Sequence, residues 1–153
     1  MFEVVFIDMD NTIAENATCQ NVEFVDGLYE NKRPIFFVIN AIDQLLRNNA
    51  NKIVLVTVCQ GGDVGKQEKL LWLKKIEFDY DDIIFVEPFR PEKSFEMIAY
   101  CKENGHCFSN CILIDDKKDI LQKAEDCGFK VKYPQQLLVD YYEYLKNKEY
   151  TTC

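Results

Sequence analysis

The stretch FEVVFIDMDNT (residues 2–12) passes from apolar to acidic within one short segment. Apart from Glu3, residues 1–7 are apolar, a run suited to a buried strand. Asp8 and Asp10 then stand one residue apart, with Asn11 and Thr12 behind them. Strand side chains repeat every second position, so the two carboxylates face the same way. Buried carboxylates are costly unless something pairs with them. Either the strand ends in solvent at Asp8, or the pair holds a cation and does chemistry.

Outward from this stretch, short apolar runs alternate with helical periodicities. FEVVFID (2–8), KIVLVT (52–57), DIIFVE (82–87) and CILIDD (111–116) read as strands buried on both faces, and FKVKY (129–133) as a shorter fifth. Between them, Pro34 to Asn49 places Ile35, Val38, Ile39, Ile42, Leu45 and Leu46 on one helical face, with Pro34 suited to the first helical position. Val64 to Ile76, Pro91 to Lys102, Lys117 to Cys127 (stopped by Gly128) and a tyrosine-rich Leu137 to Leu145 read as further helices. This alternation predicts an α/β fold: one Rossmann-like three-layer domain over residues 1–153 around a mostly parallel five-stranded sheet. The polar segment 14–33 breaks the pattern and reads as a flap, with a hairpin around Asp26-Gly27.

The 153 residues include 48% apolar and 29% charged, an ordinary globular balance. A formal net charge of −8 argues against nucleic acid and anionic membrane as partners. No run is long enough for a membrane span. Seven cysteines without an export signal predict reduced thiols and a cytoplasmic location. Cys101, His106, Cys107 and Cys111 include zinc-ligand types, but their spacing is not that of the usual paired knuckles, and they read as packing or surface thiols. Tyr141, Tyr142 and Tyr144 read as sheet packing or as the face of a homodimer.

In an open α/β sheet, ligands bind beyond the carboxyl ends of the strands. Asp8 and Asp10 end the first strand, Thr57 the second, and Asp115-Asp116 the fourth, while Lys93 follows the third. Carboxylates that cluster call for a cation, and Mg²⁺ prefers such hard oxygen ligands. A carboxylate can attack phosphorus, a second can carry the proton, and a hydroxyl and an ammonium can neutralise the phosphoryl oxygens. The rival readings are mild ones. Asp115-Asp116 also suits a helix start, Asp119 a helix surface, Trp72 the core, and CQGGDVG (59–65) a strand–helix connection. Asp79, Asp81 and Asp82 read as a solvated turn, and Arg90, Lys66 and Lys69 are rivals to Lys93.

DMDNT (8–12), LVT (55–57), RPEK (90–93) and ILIDD (112–116) together resemble the four motifs of the haloacid dehalogenase-like superfamily, in the same order. The resemblance implies a sheet order of 3-2-1-4-5 with minimal or no cap, and a Mg²⁺-dependent phosphomonoester hydrolase. By position it makes Asp8 the nucleophile and a metal ligand, and Asp10 the general acid/base with its carbonyl on the metal. Thr57 and Lys93 become phosphate binders, and Asp115 and Asp116 the metal-side pair. An acid at Asp10 is the mark of the phosphate-transferring members. The implied substrate is a small phosphorylated metabolite or nucleotide. EKLLWLKKIEFDYDDIIFVEPFRPEKS (68–94) with ILIDD is similar to the 5′(3′)-deoxyribonucleotidase group, although here a helical segment separates Lys93 from ILIDD and segment 14–33 is short for a helical cap. With so little inserted chain, the site is expected to be open. A non-catalytic protein that keeps the fold and a metal site is the alternative from another class.

Overall fold

The computed structural model describes residues 1–15, 27, 29–89 and 92–150, with residues 149 and 150 described by backbone alone. Of the hairpin expected around Asp26-Gly27, residues 16–26 and 28 lie outside the described residues, as do Arg90 and Pro91, and Tyr29–Asn31, expected in its second limb, form a 3₁₀ turn. Five strands form: β1 (Phe2–Ile7), β2 (Ala50–Val58), β3 (Asp82–Val86), β4 (Cys111–Ile114) and β5 (Lys130–Lys132). They make one sheet in the order β3-β2-β1-β4-β5, and every pairing is parallel. This is the α/β architecture and strand order expected from the sequence.

The alternation of side chains along β1 explains why the apolar run is unbroken. Val5 and Ile7 point into one core, with Ile53, Leu55, Ile112 and Ile114. Val4 and Phe6 point into the other, with Val54, Val56 and Leu113. The first core is closed by α1 (Phe36–Ala41), α2 (Gly62–Lys75) and α5 (Pro134–Tyr150) through Val38, Trp72, Leu73 and Leu137. The second is closed by α3 (Lys93–Asn104) and α4 (Lys118–Asp126) through Met97, Cys101, Leu121 and Ala124. Both faces of the sheet are covered, so only the strand ends are left for polar work.

The expected helix over 34–49 is not a continuous α-helix. After α1 the chain widens to a π-helical turn over Ile42–Leu46 and then tightens to a 3₁₀ turn over Arg47–Asn49. Pro34 is not the first helical residue either; it bridges to Ala14, and Ile35 is the cap. The reason lies in the flanking bonds. Glu15 donates its backbone N–H to Arg33 at 2.8 Å, and Ile35 donates to Ile13 at 2.8 Å. Proline, with no N–H, sits between them at no cost to this short ladder. The acidic turn is exposed at Asp79, Asp81 and Asp82, as expected, and two of its carboxylates also make contacts. Asp81 accepts the Ile53 N–H at 2.7 Å, and Asp79 pairs with Arg47 at 3.2 Å.

The β2–α2 connection is fitted closely. A Cβ on Gly65 would stand 1.8 Å from the Gln60 carbonyl oxygen. In a helix, Gly→Ala ordinarily stabilises by up to about 1 kcal/mol. Here the clash is with backbone, and the sign reverses. Gly65→Ala is expected to destabilise by about 1–3 kcal/mol, as overpacked sites do. Urea denaturation of the two proteins measures it.

Candidate active site

The carboxyl ends of β1, β2 and β4 and the start of α3 meet at one place. Strand β1 stops at Ile7, and Asp8 still donates its N–H to the Ile114 carbonyl at 2.9 Å. The chain then turns back at once. Asn11 takes a left-handed backbone with φ 62°, which asparagine tolerates better than most residues. Ile13 and Ala14 both donate N–H groups to the Met9 carbonyl, at 3.0 and 2.9 Å. This tight return exists because the DMDNT run places short polar residues where the strand ends. It leaves Asp8 and Asp10 at the rim, and Thr12 Oγ1 donates to Asp8 Oδ2 at 3.2 Å.

A buried lysine joins two of the carboxylates. Lys93 Nζ donates to Asp8 Oδ1 at 2.5 Å and to Asp115 Oδ2 at 2.6 Å. Asp115 is fully buried, and its other oxygen accepts the Lys117 N–H at 2.9 Å. Burial works against the Lys93 ammonium, but Asp8 and Asp115 outweigh it and hold its pKa above the usual value. For Asp8, burial wins. It pushes the pKa up to about 7; Lys93 opposes this and Asp115 adds to it. Asp116 is also raised, first by burial and then by Asp115.

A second group lies on the other side of Asp8. Lys69 Nζ donates to Asp10 Oδ2 and to Thr57 Oγ1, both at 2.6 Å. Lys32 also pairs with Asp10. Burial raises the Asp10 pKa, but Lys69 and Lys32 more than compensate, and it is lowered overall. Thr57 and Lys69 are both buried.

These residues fit a divalent cation. Asp8, Asp115 and Asp116 each offer an oxygen within 4.8 Å of the others, the one such acidic or thiol cluster among the described residues. Asp116 Oδ1 is buried and has no hydrogen-bond partner. Three carboxylates with one ammonium between them leave two negative charges, and hard oxygen donors suit Mg²⁺. The cysteines and histidine weighed for zinc form no such cluster. Cys101 and Cys111 face each other at 3.8 Å, whereas His106 pairs with Glu3 at 3.3 Å.

No family model and no curated protein sequence matches the chain. Solved structures do. The haloacid dehalogenase-like hydrolase SP0104 from Streptococcus pneumoniae aligns with a TM-score of 0.61 at 12% identity, over 92% of this chain and 90% of that one. The fold is that of haloacid dehalogenase-like hydrolases. The N-terminal part of BF1531 from Bacteroides fragilis, containing a phosphatase domain complexed with Mg, aligns with a TM-score of 0.61 at 18% identity over 95% of this chain and 39% of that one. A chain of the Pnkp1/Rnl/Hen1 complex aligns with a TM-score of 0.66 at 12% identity over 87% of this chain. This chain spans 45% of that one, under half its length.

All of Asp8, Asp10, Thr57, Lys93, Asp115 and Asp116 therefore come to one rim. Lys93, at the start of α3, reaches Asp8, whereas its rival Lys66 pairs with Asp63 at 4.0 Å. Asp119 is exposed, as expected of a helix surface, and Trp72 is fully buried. Sequence reasoning missed the joint role of Lys69 and Lys32 on Asp10, and the placement of Tyr29. For Lys69 a signal existed: Gly65, Glu68, Lys69, Trp72 and Leu73 line the buried face of α2, so a lysine sits on an apolar stripe. For Lys32 none existed, because its partner Asp10 lies far off in the sequence, in the turn after β1. Asp8, Lys69 and Lys93 are each 4% exposed.

A folded-state pKa for Asp8 near 7, against an ordinary 3.8, means the folded protein holds this proton more tightly than the unfolded chain. The associated stability is complete at low pH and is lost as pH rises towards 7. Metal-free protein is therefore expected to melt lower at pH 8 than at pH 5, and Asp8→Asn to flatten that slope. Mg²⁺ is expected to raise the melting temperature of the wild type at pH 8 and to act weakly on Asp8→Asn. Calorimetric or fluorescence melting with and without EDTA reads both effects.

Proposed function

We propose that the protein is a Mg²⁺-dependent phosphomonoester hydrolase that works through an aspartyl-phosphate on Asp8. The observation that carries this reading is the convergence of Asp8, Asp10, Thr57, Lys93, Asp115 and Asp116 at one end of a parallel sheet, among them a carboxylate triad suited to a hard cation, with Asp8 and Asp115 buried and Asp116 half-buried. A fold shared with hydrolases, one containing a phosphatase domain complexed with Mg, supports it.

Asp8, Asp115 and Asp116, with the Asp10 carbonyl, would hold the ion. Bound there, Mg²⁺ supplies positive charge to the phosphoryl oxygens and steadies the in-line geometry. The remaining work falls to the chain. An Asp8 carboxylate oxygen attacks phosphorus; the new O–P bond forms as the ester P–O bond breaks. Asp10 gives its proton to the departing alcohol oxygen. Water then attacks the aspartyl-phosphate, Asp10 takes the water's proton, and inorganic phosphate leaves with Asp8 restored. Lys93 and Thr57 neutralise the equatorial oxygens, where charge sits in the transition state. Lys69 already donates to Thr57, so the Thr57 hydroxyl proton is left to point at the phosphoryl group.

Asp10 enters this cycle held in its ionised form by Lys69 and Lys32. Proton donation requires that grip to loosen, and an incoming phosphoryl group is an anion able to draw an ammonium away. With that ammonium withdrawn, Asp10 takes up a proton from solvent and can then give it to the leaving oxygen.

Hydrolysis of p-nitrophenyl phosphate with Mg²⁺ tests the proposal. EDTA is expected to abolish turnover, Mg²⁺ to restore it, and Ca²⁺, with its looser coordination, to restore it poorly. Asp8→Asn is expected to lose activity to background. Asp10→Asn is expected to retain partial activity on this substrate, whose nitrophenolate leaves without a proton, and to lose about 10²–10⁴-fold on an alkyl phosphate. Mg²⁺ binding by calorimetry without turnover of any phosphomonoester would instead support a metal-binding protein without catalysis.

A further inference from the structure

Helix α3 is tied to the region of β4 at both ends. Lys93, Met97 and Cys101 are buried and stand four residues apart on the face of α3 that meets the sheet. At the catalytic end, Lys93 Nζ donates to Asp115 Oδ2 at 2.6 Å. At the other end, the Cys101 and Cys111 sulfurs stand 3.8 Å apart. The helix and the strand run in opposite directions over matched lengths. From Lys93 to Cys101 the helix rises about 12 Å. From Cys111 to Asp115 the extended chain covers about 13 Å. The ion pair and the thiol pair are therefore the two ends of one contact.

The thiols are arranged to react with one another. Both are fully buried, in the core that also holds Val4, Phe6, Met97 and Leu113. Cys111 Sγ donates to the Cys107 carbonyl at 3.3 Å, which leaves its lone pairs to the Cys101 S–H. That bond from Cys101 holds the Cys111 thiol below its usual pKa against the effect of burial, and the Val4 backbone adds to it. Cys107, whose carbonyl touches the pair, is itself exposed. A disulfide has a sulfur–sulfur distance of about 2.0 Å, so closing the pair draws the sulfurs together by about 1.8 Å. The packed core limits rotation of either side chain, and part of that approach falls on α3. Lys93 is the first residue of the same helix, so the movement reaches the ammonium between Asp8 and Asp115.

We propose that Cys101 and Cys111 form a thiol–disulfide switch that takes a low-molecular-weight disulfide as its oxidant and lowers activity when closed. The Cys107 thiolate attacks the small disulfide R–S–S–R, and one R–S⁻ leaves and takes up a proton. Cys111 attacks the Cys107 sulfur and releases the second R–SH. Cys101 then attacks the Cys111 sulfur; the Cys101–Cys111 bond forms and Cys107 regains its thiol. Two protein thiols are oxidised, and one small disulfide is reduced to two thiols that carry the two protons. The effect on turnover rests on the hydrolase reading above, whereas the bond and the movement of α3 do not.

Glutathione disulfide, added to the full chain, tests the switch. Alkylation of the remaining thiols and peptide mapping are expected to find Cys101 joined to Cys111, and Cys107→Ser to slow that closure. Turnover of p-nitrophenyl phosphate with Mg²⁺ is expected to fall about tenfold or more on closure and to return with dithiothreitol, because small displacements of a positioned group cost catalysis heavily. Cys101→Ala and Cys111→Ala are each expected to keep their turnover through the same treatment. Amide NMR reads the movement without turnover. Lys117 donates its N–H to Asp115 Oδ1 at 2.9 Å, so its signal is expected to shift on closure of the pair. A pair that stays reduced, a bond that maps elsewhere, closure at an undiminished rate in Cys107→Ser, turnover within about twofold after closure, or a loss that persists in both alanine variants would overturn the switch. A reduced protein without turnover brings down the hydrolase reading, and an unmoved Lys117 signal then brings down the switch as well.

Discussion

Two strands of this protein end in buried carboxylates, and one ammonium makes that tolerable. Lys93 stands between Asp8, just after β1, and Asp115, just after β4, at 2.5 and 2.6 Å. Either carboxylate alone, taken from water into this rim, would cost several kcal/mol. Sharing one cation brings the two strand ends together at a fixed spacing. Lys93 is also the first residue of α3, so the same contact fixes where that helix begins and hence how its Met97 and Cys101 meet the sheet. Structure and chemistry use one interaction.

The second ion cluster works differently. Asp10 lies between two lysines from separate parts of the chain: Lys69 from α2 and Lys32 from the return limb of segment 14–33. Trp72, one turn after Lys69, grips the same limb through the Lys32 carbonyl. Helix α2 therefore does two jobs with neighbouring residues. It supplies a cation to the rim and anchors the turn Tyr29–Asn31 and the neighbouring Lys32.

Parts of this arrangement were legible in the sequence, for physical reasons. Continuous apolar runs mean burial on both faces, so β1, β2, β3 and β4 and their parallel pairing could be read directly. The placement of Asp8, Asp10, Thr57, Lys93 and Asp115 followed, because strand ends in such a sheet share one edge. What remained hidden depended on contacts between distant segments. Nothing near Lys32 or Tyr29 signals that they return to Asp10. The π-helical turn at Ile42–Leu46 keeps the apolar spacing of an α-helix closely enough to pass for one. Pro34 carried a helix-start signal, yet the backbone bonds at Arg33 and Ile35 put it in a bridge instead.

The position of β1 at the middle of the sheet bears on the order in which the chain acquires structure. Its register joins Phe2 to Ala50 on one side and Val4 to Cys111 on the other. The first strand thus finds one neighbour early and the other only near the end of the chain. Loop closure on that scale is slow relative to local helix formation. During synthesis, β1, β2 and α2 have their partners before β4 emerges, so the Lys69 half of the site is buildable while Asp115 is still missing. The Asp8–Lys93–Asp115 half comes into being only when β4 pairs with β1, with β5 alone still to join the edge of the sheet.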